Sequence, residues 1–314
     1  MYRGLKIGVV VPAYNEERFI LQTLGTMPAG VDRIFVVEDG STDSTRALIL
    51  GAQAGDPRVH LVAHDRNLGL GQSLIDGYVA SAASDVEATA VMAGDNQMDP
   101  ADLPRLLDAM IDRKADYVKG NRLLHANVQT MPRYRFAGNA ILTILTKFAT
   151  GYYAVMDPQC GYTVIRNEAL RTIPIGSMTK GYGYNADILC MLNIHGYSVT
   201  DVEVRPVYEG QPSKIVVSTY VIKTTSLLLR LFFRRLWQRY VVRDFHPLVL
   251  FYFSAIVNTL FIVLPLTGRF FYMYWKIGEA PQTTLIILSF TILITFQAVL
   301  FAIWMDMDYN RSRT

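Results

Sequence analysis

The sequence predicts an α/β fold on a mostly parallel central sheet, followed by a basic amphipathic juxtamembrane helix and a C-terminal two-helix transmembrane hairpin. Three observations carry this. Short β-branched runs alternate with helix-like stretches between residues 7 and 92, seven basic and no acidic residues fall between 214 and 243, and two long uncharged stretches lie near the C-terminus. Among 314 residues, 51% are hydrophobic and 18% charged, with mean hydropathy +0.21, which excludes a disordered chain, a collagen-like repeat or a small stapled secreted domain. The formal net charge of +3 gives no argument for nucleic acid as a partner. Two cysteines, Cys160 and Cys190, offer neither a disulfide framework nor a zinc spacing, and a reducing compartment is the easier expectation.

The strands come first. Residues 7–11 (IGVVV), 34–38 (IFVVE), 59–63 (VHLVA) and 88–92 (ATAVM) are short apolar runs of the kind buried on both faces of a sheet. Helix-like stretches at 16–27, 44–54 and 72–81 separate them, which makes βαβ units and an open parallel sheet. Ligands of such sheets gather beyond the C-terminal ends of the strands. There the chain carries Tyr14, Asn15 and Glu16 after the first strand, Glu38 and Asp39 at the end of the second, His64 to Gly71 after the third, and Asp95 to Asp99 after the fourth. Four polar strand ends on one edge describe a pocket. No GxGxxG follows the first strand and no Walker motif is present, so a dinucleotide or P-loop site is not expected. An acidic edge suits a divalent cation holding an anionic substrate, and hard oxygen ligands favour Mg2+ or Mn2+. Asp95 and the amide oxygen of Gln97 are the expected protein ligands, while Glu38 and Asp39 can accept hydrogen bonds from a base or ribose.

Residues 247–268 and 280–305 contain no charge and are each long enough to cross a hydrocarbon core of about 30 Å. The intervening 269–279 carries Phe270, Phe271, Tyr272, Tyr274 and Trp275 and reads as an interfacial connection. No signal peptide is apparent at the N-terminus. The basic stretch therefore places the large N-terminal part and the C-terminus on the cytoplasmic side by the positive-inside rule. Within that stretch Leu229, Phe233, Leu236, Trp237 and Tyr240 share one helical face, and Arg235, Arg239 and Arg243 are expected on the other, near anionic headgroups. The expected organisation is an α/β domain at 1–213, a juxtamembrane segment at 214–245 and a membrane hairpin at 246–314.

The motifs VPAYNEE (11–17), VVEDGSTDST (36–45), NLGLGQSL (67–74), AGDNQMDP (93–100), GNR (120–122), DPQCGYTVI (157–165), YGYNADIL (182–189) and SKI (213–215) occur in order. Together they resemble family 2 glycosyltransferases of the GT-A fold, a Rossmann-like architecture, and specifically the dolichyl-phosphate mannose synthase group of polyprenyl-phosphate sugar transferases. The resemblance implies that Pro12, Tyr14, Glu16, Glu38, Asp39, Asn67 and Gly69 bind the nucleotide sugar. It matches residues 93–97 to a D-x-D-x-Q metal motif whose first aspartate is Ala93 here, leaving Asp95 and Gln97 for Mg2+ or Mn2+. Arg122 stands where the family places a basic residue for the acceptor phosphate, with Arg133, Arg135 and Lys119 as further candidates, and Asp157 stands near the acceptor.

These residues imply inverting transfer of a hexose, by default mannose from GDP-mannose, to a polyprenyl or dolichyl monophosphate, with a UDP-hexose as the alternative donor. Asp95, Asp157 and Arg122 form the expected catalytic set. A phosphate acceptor is largely ionised at neutral pH and needs no general base. The expected partners are a nucleotide sugar, a polyprenyl phosphate lipid and the membrane, with a homo-oligomer left open. A processive polysaccharide synthase would carry more spans and a QxxRW motif, which is absent. A catalytically silent membrane-anchored binding protein is favoured only by Ala93.

Overall fold

The computed structural model describes residues 1–123, 133–181, 183–205 and 217–313, excepting the side chains of 133–139 and 217–222. The chain forms two compact units, Met1–Arg235 with Arg313–Thr314, and Leu236–Ser312. In the first, β1 (Ile7–Ala13), α1 (Ile20–Gly25), β2 (Arg33–Glu38), α2 (Thr45–Gly55), β3 (Val59–Ala63), α3 (Leu70–Ala82) and β4 (Ala88–Val91) alternate as the sequence predicts. They are followed by α4 (Leu103–Asp112), β5 (Tyr117–Asn121), α5 (Arg133–Thr150), β6 (Thr163–Arg166), α6 (Asn167–Thr172), α7 (Tyr184–His195), β7 (Val199–Glu203) and α8 (Val217–Trp237).

All seven strands form one sheet in the order β3-β2-β1-β4-β6-β5-β7. Strands β1 to β4 pair in parallel, β5 pairs in parallel with β7, and β6 runs antiparallel to both of its neighbours. The sheet is thus mixed but mostly parallel. Every position of β1 is buried, which is why its sequence is apolar throughout rather than alternating. Ile7, Val9 and Val11 pack with Ile20, Leu106 and Met110 on one face, and Val10 packs with Leu74, Tyr78 and Leu189 on the other. Helix α3 approaches β1 at Gly77, where a Cβ would lie 2.3 Å from the Val10 side chain. Sheet order reverses at β1, flanked by β2 on one side and β4 on the other. Such a switch point opens the crevice in which ligands of α/β sheets bind.

The first helix starts later than its periodicity suggests, at Ile20 rather than residue 16. Asn15 has φ +56°, and the Glu16 and Glu17 amides donate to Thr45 Oγ1 and Asp43 Oδ2 across the gap to the β2–α2 loop. Those tertiary bonds hold the segment as a turn where local propensity alone would extend the helix.

Helix α8 corrects the expected amphipathic pattern. Arg235 is fully buried, its Nε and Nη2 donating to the carbonyls of Ala149 and Phe148 at the end of α5, and Arg234 bonds Asp187 on α7. A guanidinium near a helix C-terminus satisfies carbonyls that have no intrahelical partner. The face turned inward is therefore Leu228, Leu231 and Arg235, while Leu229 and Phe233 are exposed. Trp237 is exposed too, whereas Leu236 and Tyr240 are buried, so the five apolar residues do not share one face. Of the three arginines expected on the outward face near anionic headgroups, Arg243 is exposed and Arg235 and Arg239 are not.

In the second unit, α9 (Leu248–Asn258), a π-helical turn (Thr259–Val263) and α10 (Leu264–Ile277) form one continuous helix, and α11 (Gln282–Asn310) returns beside it. Two helices, Leu248–Ile277 and Gln282–Arg313, are long and apolar enough to cross a membrane, and only 11% of each apolar window is buried. The chain is membrane-associated by this anchor. The aromatic stretch expected as a connection is the last two turns of α10, and the link itself is only residues 278–281. The helices lean on each other through Asn258, whose Nδ2 donates to Thr295 Oγ1 at 2.7 Å. At their far end Tyr240 bonds Asp306, accepts from Asn310 Nδ2, and stacks edge-on with Tyr309.

Candidate active site

The C-terminal ends of β1, β2, β3 and β4 meet at the switch point. Backbone bonds sew them together: the Gly94 amide donates to Pro12 O, Asp39 N to Ala13 O and His64 N to Glu38 O. Asn15 Oδ1 accepts from Thr42 N at 2.9 Å, tying the first loop to the second. Gly40, at φ +65°, lies so close to Arg66 that a Cβ would fall 2.4 Å from its backbone, so only glycine lets the second and third loops touch. Pro12 is buried beneath this surface and Tyr14 is exposed upon it, while Asn67 is exposed on the third loop.

Glu38 and Asp39 are both buried, at 1% and 3% exposure, and each holds a loop. Glu38 Oε1 accepts from the Ser41 amide, while Oε2 lies 3.9 Å from Arg46 and has no hydrogen-bond partner among the described residues. Asp39 accepts from His64 Nδ1 at 2.7 Å, from Leu68 N at 2.8 Å and from Gly69 N at 2.9 Å. Gly69 thus takes part through its backbone, at φ +92°. His64, which the sequence alone did not single out, bridges onward from Nε2 to Asp76 Oδ2 at 3.0 Å. Its position immediately after a strand was the available signal.

Asp95 follows β4, and its Oδ1 accepts the Gln97 amide at 3.1 Å. Burial raises the Asp95 carboxyl above its ordinary range despite that bond. Glu16 is pushed up to about 7, first by burial and then by the negative charges of Asp95 and Asp43. No cluster of three or more His, Cys, Asp or Glu with metal-binding geometry occurs among the described residues. What the site provides is one half-buried carboxylate, a neighbouring amide and a second carboxylate whose ionisation the first opposes. That oxygen set suits a hard divalent cation completed by ligands from outside the protein, and neutralising the charge would relieve the repulsion.

On the other side of the sheet's switch, Arg122 and Asp157 prove to be partners. The Arg122 Nε and Nη2 donate to Asp157 Oδ2 and Oδ1 at 2.8 and 3.2 Å. Burial favours the neutral acid, but the Arg122 hydrogen bonds and charge, aided by Lys119, outweigh it and hold the Asp157 carboxyl below the usual range. The arginine side chain remains 37% exposed. Lys119 is corrected as a phosphate contact: it is wholly buried, its ammonium donating to Cys160 O and to Asn185 Oδ1 at 2.5 and 3.1 Å. Burial lowers its pKa. It supports the Asp157 loop from beneath. Arg133 and Arg135 begin α5, but their side chains lie outside the described residues, as do Tyr182 and residues 213–215.

Asp95 and Gln97 thus follow β4, and the paired Arg122 and Asp157 follow β5 and precede β6. The profile of glycosyl transferase family 2 matches residues 8–173, just over half of the chain. This chain belongs to glycosyl transferase family 2. The glycosyltransferase is 29% identical over 201 residues to polyprenol monophosphomannose synthase of Mycolicibacterium smegmatis, covering 62% of this chain and 75% of that one. It is 24% identical over 216 residues to UDP-N-acetylglucosamine–dolichyl-phosphate N-acetylglucosaminyltransferase of Methanococcus voltae, covering 64% and 86%. Among solved structures, glucosyl-3-phosphoglycerate synthase of Mycobacterium tuberculosis, in complex with Mn2+, UDP and phosphoglyceric acid, superimposes with TM-score 0.55 at 17% identity, covering 74% and 78%. The glycosyltransferase thus has the GT-A fold.

Proposed function

We propose that this glycosyltransferase moves a hexose from a nucleotide-diphosphate sugar to a polyprenyl or dolichyl monophosphate at the cytoplasmic face of a membrane, with inversion at the anomeric carbon. The observation that carries this is the coexistence of the acidic crevice at the switch point with two apolar helices long enough to anchor the chain in a bilayer. Relatives named for polyprenol and dolichyl phosphate substrates support it.

Asp95 and Gln97 would hold Mg2+ or Mn2+, which supplies charge stabilisation to the departing diphosphate. Pro12, Tyr14, Glu16 and Asn67 line the nucleotide side, and Asp39 meets the donor nucleoside. Arg122, oriented by its two bonds to Asp157, uses its exposed part to attract the acceptor phosphate. That phosphate, ionised at neutral pH, attacks the anomeric carbon opposite the leaving diphosphate, and Asp157 keeps the guanidinium in place without taking a proton. A catalytic domain at 1–213, a collar at 214–245 and an anchor at 246–314 keep a soluble donor and a lipid acceptor at one surface. The basic collar puts the catalytic domain on the cytoplasmic side.

Transfer of label from nucleotide sugars to polyprenyl phosphate in detergent, with Asp95→Ala as control, tests the proposal. Mn2+-dependent formation of a lipid-linked sugar is expected. No turnover with any common UDP- or GDP-hexose would overturn it.

A further inference from the structure

Asp39 has little acceptor capacity left. A carboxylate offers about four lone-pair sites, two on each oxygen. Oδ1 receives the His64 ring at 2.7 Å and the Leu68 amide at 2.8 Å, and Oδ2 receives the Gly69 amide at 2.9 Å. Among the described residues, one site remains, on Oδ2. The carboxylate is only 3% exposed, so it cannot turn to offer its other oxygen without breaking those bonds.

His64 is what locks it. The imidazole is buried, with Asp39 Oδ1 on its Nδ1 and Asp76 Oδ2 3.0 Å from its Nε2, and Gln72 Nε2 steadies Asp76 at 2.9 Å. Both ring nitrogens face carboxylate oxygens, so the ring is gripped from α3 on one side and from the end of β2 on the other. The His64 amide also donates to Glu38 O, fixing its backbone beside the same strand end. Helix α3 is itself held, because the Gly71 amide donates to Lys180 O and a Cβ at Gly71 would fall 2.4 Å from the Lys180 backbone. The Asp39 carboxylate is therefore oriented by rigid elements rather than by solvent.

We infer that His64 is a positioning residue that sets base specificity, leaving Asp39 a single acceptor on Oδ2 and so selecting a uracil nucleotide donor over a guanine one. Uracil presents one imide N–H between two carbonyls, and a single lone pair satisfies it. Guanine presents N1–H and N2–H side by side, a pair that wants both oxygens of a carboxylate. With Oδ1 filled, one guanine donor would be buried unsatisfied, the condition under which hydrogen-bonding sites discriminate most strongly. This rests on the proposal that Asp39 meets the donor nucleoside.

Calorimetric titration of the detergent-solubilised full chain with UDP and GDP, in the presence of Mn2+, tests it. UDP should bind at least about tenfold more tightly than GDP, the cost of roughly one unsatisfied donor. His64→Ala should bring the two affinities within about threefold, and His64→Asn, which keeps an amide donor near the Nδ1 position, should restore the preference. Asp76→Ala, which frees the far side of the ring, should narrow it in wild-type but not in His64→Ala background. GDP binding as tightly as UDP overturns the inference and leaves the donor site standing. A UDP preference unchanged in folded His64→Ala overturns the role of His64. Binding of neither nucleotide overturns the donor-site assignment itself, and the inference with it.

Discussion

On the β1 and β4 side of the crevice, Glu16 and Asp95 stand near each other and both hold their protons more tightly than free carboxyls, Glu16 to about 7. On the β5 and β6 side, Asp157 is 4% exposed yet gives up its proton more readily than a free carboxyl, because Arg122 grips it from one side and Lys119 lies beneath. Burial acts in the same direction on all three. What differs is the partner. A carboxylate already paired within the chain is scaffold for the arginine it holds, whereas carboxylates that repel each other make a place where a cation is welcome.

The largest effect should come from the unneutralised side. Asp95→Ala should lower kcat/KM by about 100-fold to 1000-fold, the usual cost of losing a principal electrostatic element, while circular dichroism and melting temperature stay near wild type. Loss of activity accompanied by unfolding would mean that Asp95 is scaffold after all.

Breaking the neutralised side should instead show in stability. Arg122→Ala strands Asp157 in a nearly dry site and should cost about 1–3 kcal/mol in denaturant unfolding, at the lower end because the arginine is partly hydrated. The same substitution in an Asp157→Asn background should cost less, since no buried charge is stranded. Equal costs in both backgrounds would deny the pairing any energetic weight.

A steric change at the junction between α3 and the loop before α7 should fall in the same range. Gly71→Ala places a Cβ 2.4 Å from backbone atoms of Thr179 and Lys180, which cannot swing aside as a side chain could. A loss of about 1–3 kcal/mol is expected from this overpacking, measured by chemical denaturation. A neutral result would mean that the α3 terminus is not held there.

The smallest effects are pH slopes of opposite sign. Asp157 has a folded pKa below its unfolded value, so the stabilisation it brings is complete above the ordinary carboxylate range near pH 4 and disappears as pH falls through the lower folded value. Glu16 has a folded pKa raised from 4.5 to about 7, so stability is greatest below 4.5 and declines as pH rises towards 7. In metal-free protein, Glu16→Gln should raise the melting temperature at pH 7 by a few degrees and flatten the decline. Asp157→Asn should flatten the loss in acid. Slopes of the same sign would remove the distinction between the two sides.

Much of this architecture was legible from the chain alone. The first four strands were readable because each is short, β-branched and buried on both faces, and the two membrane helices because their length and lack of charge match a bilayer. Which strand ends carry polar groups was legible too, so Asp39 and Asp95 could be named as candidates, while Arg122 and Asp157 were named only through the family resemblance of their motifs. Local pattern failed where a distant partner overrode it. Arg235 looks like a headgroup-facing arginine until the end of α5 is brought to it, and residues 16–19 look helical until Thr45 and Asp43 take the Glu16 and Glu17 amides.

The sequence by itself determined the class of fold, the anchor and the chemistry collected at one sheet edge, because periodicity and composition report what each segment must bury. Only the tertiary structure decided how that chemistry is shared out. It paired Arg122 with Asp157 across 35 residues, sank Lys119 beneath them, ran β6 against its neighbours, and set His64 between Asp39 and Asp76. Charge state and hydrogen-bond capacity depend on which groups lie within a few ångströms, and that distance is a property of the folded chain rather than of the order of its residues.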